Sequence, residues 1–164
     1  MKKVYNVLLN KNLTISFAES ITGGYLSYSL VKNSGSSKVF MGSIISYNVF
    51  LKVSLLDVKL DLINKYGVVS EEVAISMARG LKAKINSDIQ VAVTGNAGPT
   101  YEDNSDELVS YIAVLCKNQL YSYKHTYNSD RISNIKSIEK FIESKIVNIL
   151  NDKWWHKVVM KWKT

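Results

Sequence analysis

Ser16-Phe17-Ala18-Glu19-Ser20-Ile21-Thr22-Gly23-Gly24-Tyr25-Leu26 joins two different kinds of chain through a turn rich in hydroxyls and glycine. Before the turn, Leu13 to Ala18 reads as a short apolar run with β-branched and aromatic members, the pattern of a strand buried on both faces. After it, Tyr25, Leu26, Tyr28, Leu30 and Val31 recur at spacings that a helix uses, so Glu19 to Gly24 is expected to turn a strand into a helix over Thr22 to Lys32. A helix N-terminus presents unpaired N–H groups and a partial positive charge, and Gly23 and Gly24 let an anion or a carbonyl oxygen come close to the backbone. Two readings of the turn stay open from these residues alone. One is a capped helix with glycines for close packing; the other is a site for an anion or a developing oxyanion.

Outward from the turn, Lys2 to Asn10 reads as a first helix, and Asn33-Ser34-Gly35-Ser36-Ser37 as a loop. Val39 to Tyr47 reads as a second strand in which Gly42 marks a bulge or a close backbone approach. Short helices are expected over Phe50 to Leu56 and Leu60 to Lys65. Ser70 then caps a helix with Glu71 and Glu72 in its first turn, running to about Ile85. Ile89 to Thr94 is the third strand, stopped by Gly95-Asn96-Ala97-Gly98-Pro99, and Thr100 to Glu107 reads as a polar loop. Leu108 to Cys116 and Leu120 to Thr126 form a hairpin turned at Lys117-Asn118-Gln119. From Asp130 onward Ile132, Ile135, Ile138, Phe141, Ile142, Ile146, Ile149 and Leu150 make a long apolar helical stripe. Strands alternating with helices and then a hairpin predict a single-domain, three-layer α/β/α sandwich with a mixed β-sheet over residues 1–152. The basic, aromatic tail at 153–164 fits an interfacial helix, a partner-binding extension or a packed helix end.

At 164 residues and 46% hydrophobic content the chain has the means to build one ordinary core. Cys116 is the single cysteine, which excludes an internal disulfide framework and a cysteine-rich zinc site. No apolar run is long enough for a transmembrane segment, and no signal-peptide apolar segment follows Met1, so a cytoplasmic location is expected. The net charge of +7 comes almost wholly from scattered lysines. With only Arg79 and Arg131 able to make bidentate contacts, specific nucleic-acid readout is not expected, while an anionic small substrate would be welcome. His125 and His156 stand apart, and no cluster of metal-ligating residues is evident.

Several separated stretches resemble one family, the CinA C-terminal-domain proteins. Ala18-Glu19-Ser20-Ile21-Thr22-Gly23-Gly24 resembles the family's Ala-Glu-Ser-Cys-Thr-Gly-Gly, and Gly35-Ser36-Ser37 with Gly42, Tyr47 and Lys52 resembles the family's next loop, strand and lysine. Tyr66 to Ala74 with Met77-Ala78-Arg79-Gly80, Val93 to Pro99, and Ser129-Asp130-Arg131 are similar to later family segments. The chain departs from the pattern at Asn48-Val49, at Phe50-Leu51, and after Pro99, where Thr100-Tyr101-Glu102-Asp103 and Glu107-Leu108-Val109-Ser110 replace a glycine-rich turn and a lysine.

Active members of that family are nicotinamide-nucleotide amidases, which convert nicotinamide mononucleotide to nicotinate mononucleotide and ammonia. The resemblance therefore implies a pyridine-nucleotide substrate, no cofactor and no metal, and a homo-oligomer, most simply a dimer. It implies Ser20 as nucleophile, Lys52 as its base and Tyr47 as a hydrogen-bonding partner. It further implies substrate contacts from Glu19, Thr22, Gly23, Gly24, Thr94, Gly95, Asn96, Gly98 and Arg131, with Arg131 on the phosphate. Glu19 is also a candidate to orient Lys52 or to bond the backbone. A catalytically inactive relative, keeping the fold and pocket as a nucleotide-binding or interaction module, is the other reading.

Overall fold

Side chains along the central strands alternate between large and small, and that alternation sorts the helices into two layers. The computed structural model describes residues 1–101 and 107–152. In chain order the elements are α1 (Lys2–Lys11), β1 (Ile15–Glu19), α2 (Tyr25–Val31), a short 3-10 turn at Ser36–Lys38, β2 (Phe40–Ile45), α3 (Val49–Leu56), α4 (Leu60–Tyr66), α5 (Glu71–Lys84), β3 (Ile89–Gly95), β4 (Leu108–Cys116), β5 (Gln119–Tyr127) and α6 (Arg131–Asn151). The strands lie in the order β2-β1-β3-β4-β5. β1 runs parallel to both β2 and β3, while β4 and β5 are antiparallel additions, which makes the sheet mixed.

Ile15, Phe17, Val91, Ile112 and Val114 share a core with α1, α2 and α6. On the opposite face Ala18, Ala92 and Ala113 stand side by side in register and pack with the α3, α4 and α5 residues. The small side chains let that helical layer lie close to the sheet. Close approach continues between helices: a Cβ on Gly80 of α5 would lie 1.8 Å from the Leu56 carbonyl oxygen at the end of α3. This contact seats α3, which carries Lys52, against α5.

The boundaries move where the turn chemistry is sharper than the apolar pattern. α2 begins at Tyr25 rather than Thr22, because Gly23 and Gly24 adopt φ of 55° and 100°, outside helical backbone. β1 covers Ile15–Glu19 and is buried at all five positions. β2 ends at Ile45, since Ser46 and Tyr47 leave the ladder and turn their carbonyls toward Lys52. Met41 is the extra residue of a bulge, with Ile15 opposite Phe40 and Ser16 opposite Gly42. Asp130 caps α6 by accepting from the Ser133 N–H at 3.0 Å. Cys116 is buried, and His125 stacks on Phe141 with ring centroids 4.3 Å apart. Among the described residues no helix is long and apolar enough to cross a membrane. Most of the polar loop expected over Thr100 to Glu107, together with the 153–164 tail and His156, lies outside the described residues.

Candidate active site

Because β1, β2 and β3 are parallel, their carboxyl ends reach the same edge of the sheet, the usual ligand edge of an open α/β sheet. Ser20 follows β1 directly, and its N–H is tied to the Val93 carbonyl at 3.1 Å, which fixes the residue against β3. Lys52 sits one turn into α3, whose start is capped by Asn48 accepting from the Phe50 N–H at 2.8 Å. The Lys52 side chain is fully buried. Its Nζ lies 2.8 Å from Ser20 Oγ, 2.8 Å from the Ser46 carbonyl and 3.3 Å from the Tyr47 carbonyl.

Among the described residues no carboxylate pairs with that amine. Burial without a compensating charge lowers the Lys52 pKa from the ordinary lysine range to about 8. A neutral amine has two hydrogens and one lone pair. Its hydrogens suit the two carbonyls, which leaves the lone pair for the Ser20 hydroxyl proton.

Glu19 points into a different set of partners. Its carboxylate accepts from Thr22 Oγ1 and the Gly24, Leu26 and Ser27 N–H groups at 2.8–3.1 Å, from Ser27 Oγ at 2.5 Å and from Ser43 Oγ at 3.4 Å. It thus caps α2, whose N-cap residue Gly24 has no side chain to do so. The carboxylate is buried and surrounded by its own donors, and Lys52 is not one of them. Within the turn the Gly23 N–H donates to the Ser20 carbonyl and the Gly24 N–H to Glu19. The N–H groups of Ile21 and Thr22, next in the chain after Ser20, donate to no acceptor among the described residues.

Tyr47 and Arg131 meet although 84 positions separate them. One Arg131 nitrogen donates to Tyr47 Oη at 2.9 Å and another to the Gly98 carbonyl at 2.6 Å, so the guanidinium ties the β2–α3 loop to the β3–β4 turn. Arg131 forms no ion pair with Asp130 or Glu19. The Thr94 hydroxyl is buried and donates to the Val68 carbonyl. Gly95 is where β4 crowds β3: a Cβ there would lie 2.6 Å from the Val109 carbonyl oxygen. Asn96 shapes the turn from within, donating to the Thr100 carbonyl and accepting from the Gly98 N–H.

Asn134 completes this wall and is missing from the sequence-based set. Fully buried on α6, it donates to the carbonyls of Ala97 and Ser129 and accepts from the Ser129 N–H. A polar residue interrupting the isoleucine stripe was the available signal.

The architecture is a three-layer α/β sandwich with a buried serine–lysine pair at the carboxyl edge of its parallel strands. Residues 1–144 match the family model of the CinA C-terminal domain, and the chain belongs to that family. A CinA-like protein of Petrotoga mobilis is 38% identical over 152 residues, covering 92% of this chain and 38% of the relative. One from Prochlorococcus marinus strain AS9601 is 47% identical over 127 residues, covering 76% of this chain and 30% of the relative. The chain therefore spans about a third of the length of these curated relatives. The fold matches the crystal structure of the competence damage-inducible protein A (ComA) from Klebsiella pneumoniae, with a TM-score of 0.89 at 20% identity over 93% of this chain and 95% of that one. It also matches the competence/damage inducible protein CihA from Agrobacterium tumefaciens, with a TM-score of 0.86 at 25% identity over 92% and 93%.

Proposed function

We propose that this protein is a carboxamide hydrolase acting on nicotinamide mononucleotide, with Ser20 as nucleophile and Lys52 as its base. The observation that supports this best is the buried Lys52 amine, 2.8 Å from Ser20 Oγ and without a carboxylate partner among the described residues. A serine hydroxyl is a weak nucleophile until a neighbouring base can take its proton. At pH 7 a lysine of pKa about 8 is neutral in about one molecule in ten, against roughly one in 2,500 for a solvated lysine.

In the proposed reaction Ser20 Oγ attacks the amide carbon as its proton passes to Lys52 Nζ. The carbonyl oxygen takes the negative charge beside the N–H groups of Ile21 and Thr22, which have no acceptor among the described residues. When the C–N bond breaks, Lys52 returns the proton to the departing nitrogen, and ammonia leaves an ester on Ser20. Water, deprotonated by Lys52, then hydrolyses the ester to the carboxylate and regenerates the serine. Tyr47, held by Arg131, stands at the mouth of the site as a hydrogen-bonding group for substrate. A homodimer remains part of the same proposal.

The test is ammonia release by the purified protein from pyridine nucleotides and from simple amides. Nicotinamide mononucleotide is expected to be the best substrate. Tight nucleotide binding without ammonia would instead identify an inactive binding module.

A further inference from the structure

Between α2 and α6 a cavity of about 450 Å³ opens beside the Ser20 turn, with Thr22 to Tyr25 and Tyr28 on one side and Ile132, Ile135 and Lys136 on the other. Its size is that of a small-molecule site, and its walls combine two aromatic rings and two aliphatic chains with few polar groups. The cavity reaches Thr22, whose N–H donates to no acceptor among the described residues and lies two residues from Ser20.

Arg131 is the first cation to consider for an anionic ligand, but it already donates to Gly98 and Tyr47. Lys136 has no hydrogen-bond or ion-pair partner among the described residues. The carboxylates nearest to it along α6 are engaged elsewhere, Asp130 with the Ser133 N–H and Glu139 with the Met1 amino group. An open, mostly apolar slot with one uncompensated ammonium at its wall suits a ring that carries a negative group.

We propose that Lys136 is the anion-reading residue of a subsite between α2 and α6, where a flat aromatic ring packs on Tyr25, Tyr28, Ile132 and Ile135 and a phosphate-class group on the same molecule meets the lysine. This rests on the amidase reading for the chemistry at Ser20, but not for the binding itself. It transfers the anion-binding role that the family resemblance implies for Arg131 to a residue five positions further along α6.

The experiment compares kcat/KM on nicotinamide mononucleotide with kcat/KM on its phosphate-free riboside, in wild type, Lys136→Gln and Lys136→Arg. Loss of this exposed charge contact is expected to lower the nucleotide-to-riboside ratio about tenfold in the glutamine variant, and arginine is expected to restore it to within about threefold. An unchanged ratio in Lys136→Gln, or a loss that arginine does not restore, would overturn the assignment. Calorimetric binding of nicotinamide mononucleotide to Ser20→Ala, with and without Lys136→Gln, separates the two proposals. Lys136-dependent binding by a protein whose wild type releases no ammonia keeps the subsite and rejects the amidase. Ammonia release indifferent to Lys136, or no nucleotide binding at all, rejects the subsite.

Discussion

Lys52 is an amine held where protonation is costly. Full burial beside a hydroxyl and two carbonyls brings its pKa to about 8, and that places its neutral form within reach at physiological pH. In the proposed reaction Lys52 must be unprotonated to act, so log kcat/KM is expected to rise with pH at unit slope and level off above about pH 8, as read from initial rates of ammonia release. Lys52→Arg, which cannot lose its proton, should lower the rate by about 10²–10⁴-fold and remove the inflection. A profile flat from pH 6 to 9 would contradict the role. Neither the burial of Lys52 nor its contact with Ser20 could be read from spacing, because 32 residues and a whole strand separate them. Only the family resemblance paired them.

Glu19 and Gly80 act through the elements they hold. Glu19 collects donors from the turn, from α2 and from Ser43 across the sheet, so a single carboxylate fixes the shape of the backbone just after Ser20. Glu19→Gln turns two acceptor oxygens into one and aims an NH₂ at buried N–H groups. A loss of about 2–4 kcal/mol is expected in denaturant unfolding. A neutral result would mean that the turn is held by its glycines alone. The sequence showed a glutamate beside a serine but not its donors, since Ser43 is 24 residues away. Gly80 is the corresponding point for α3. An alanine there would overlap the Leu56 carbonyl, a backbone atom, so α3 must shift. Gly80→Ala is expected to cost about 1–3 kcal/mol and to lower kcat for the amide as well, because Lys52 moves with its helix. Wild-type kcat in that variant would separate helix packing from the site.

At the scale of the whole molecule, the fold was largely legible and the site only partly so. The apolar runs of β1, β3 and β4, the hairpin at Lys117-Asn118 and the isoleucine stripe of α6 each arise from one local periodicity. What periodicity could not show is which polar groups face each other once the layers stack, and so Thr94, Arg131 and Asn134 emerge as braces between loops. The row Ala18, Ala92, Ala113 sets the distance between the sheet and the α3–α5 layer. Ala92→Leu should push that layer outward at a cost of about 1–3 kcal/mol, measured as a lower denaturation midpoint.

Whether Ser20 and Lys52 together hydrolyse a carboxamide is decided by ammonia release from nicotinamide mononucleotide by wild type and Ser20→Ala, with the fold of both checked by circular dichroism. Steady release is expected from wild type, with a loss of about 10³-fold or more in a folded Ser20→Ala. Equal release by the two proteins would contradict it.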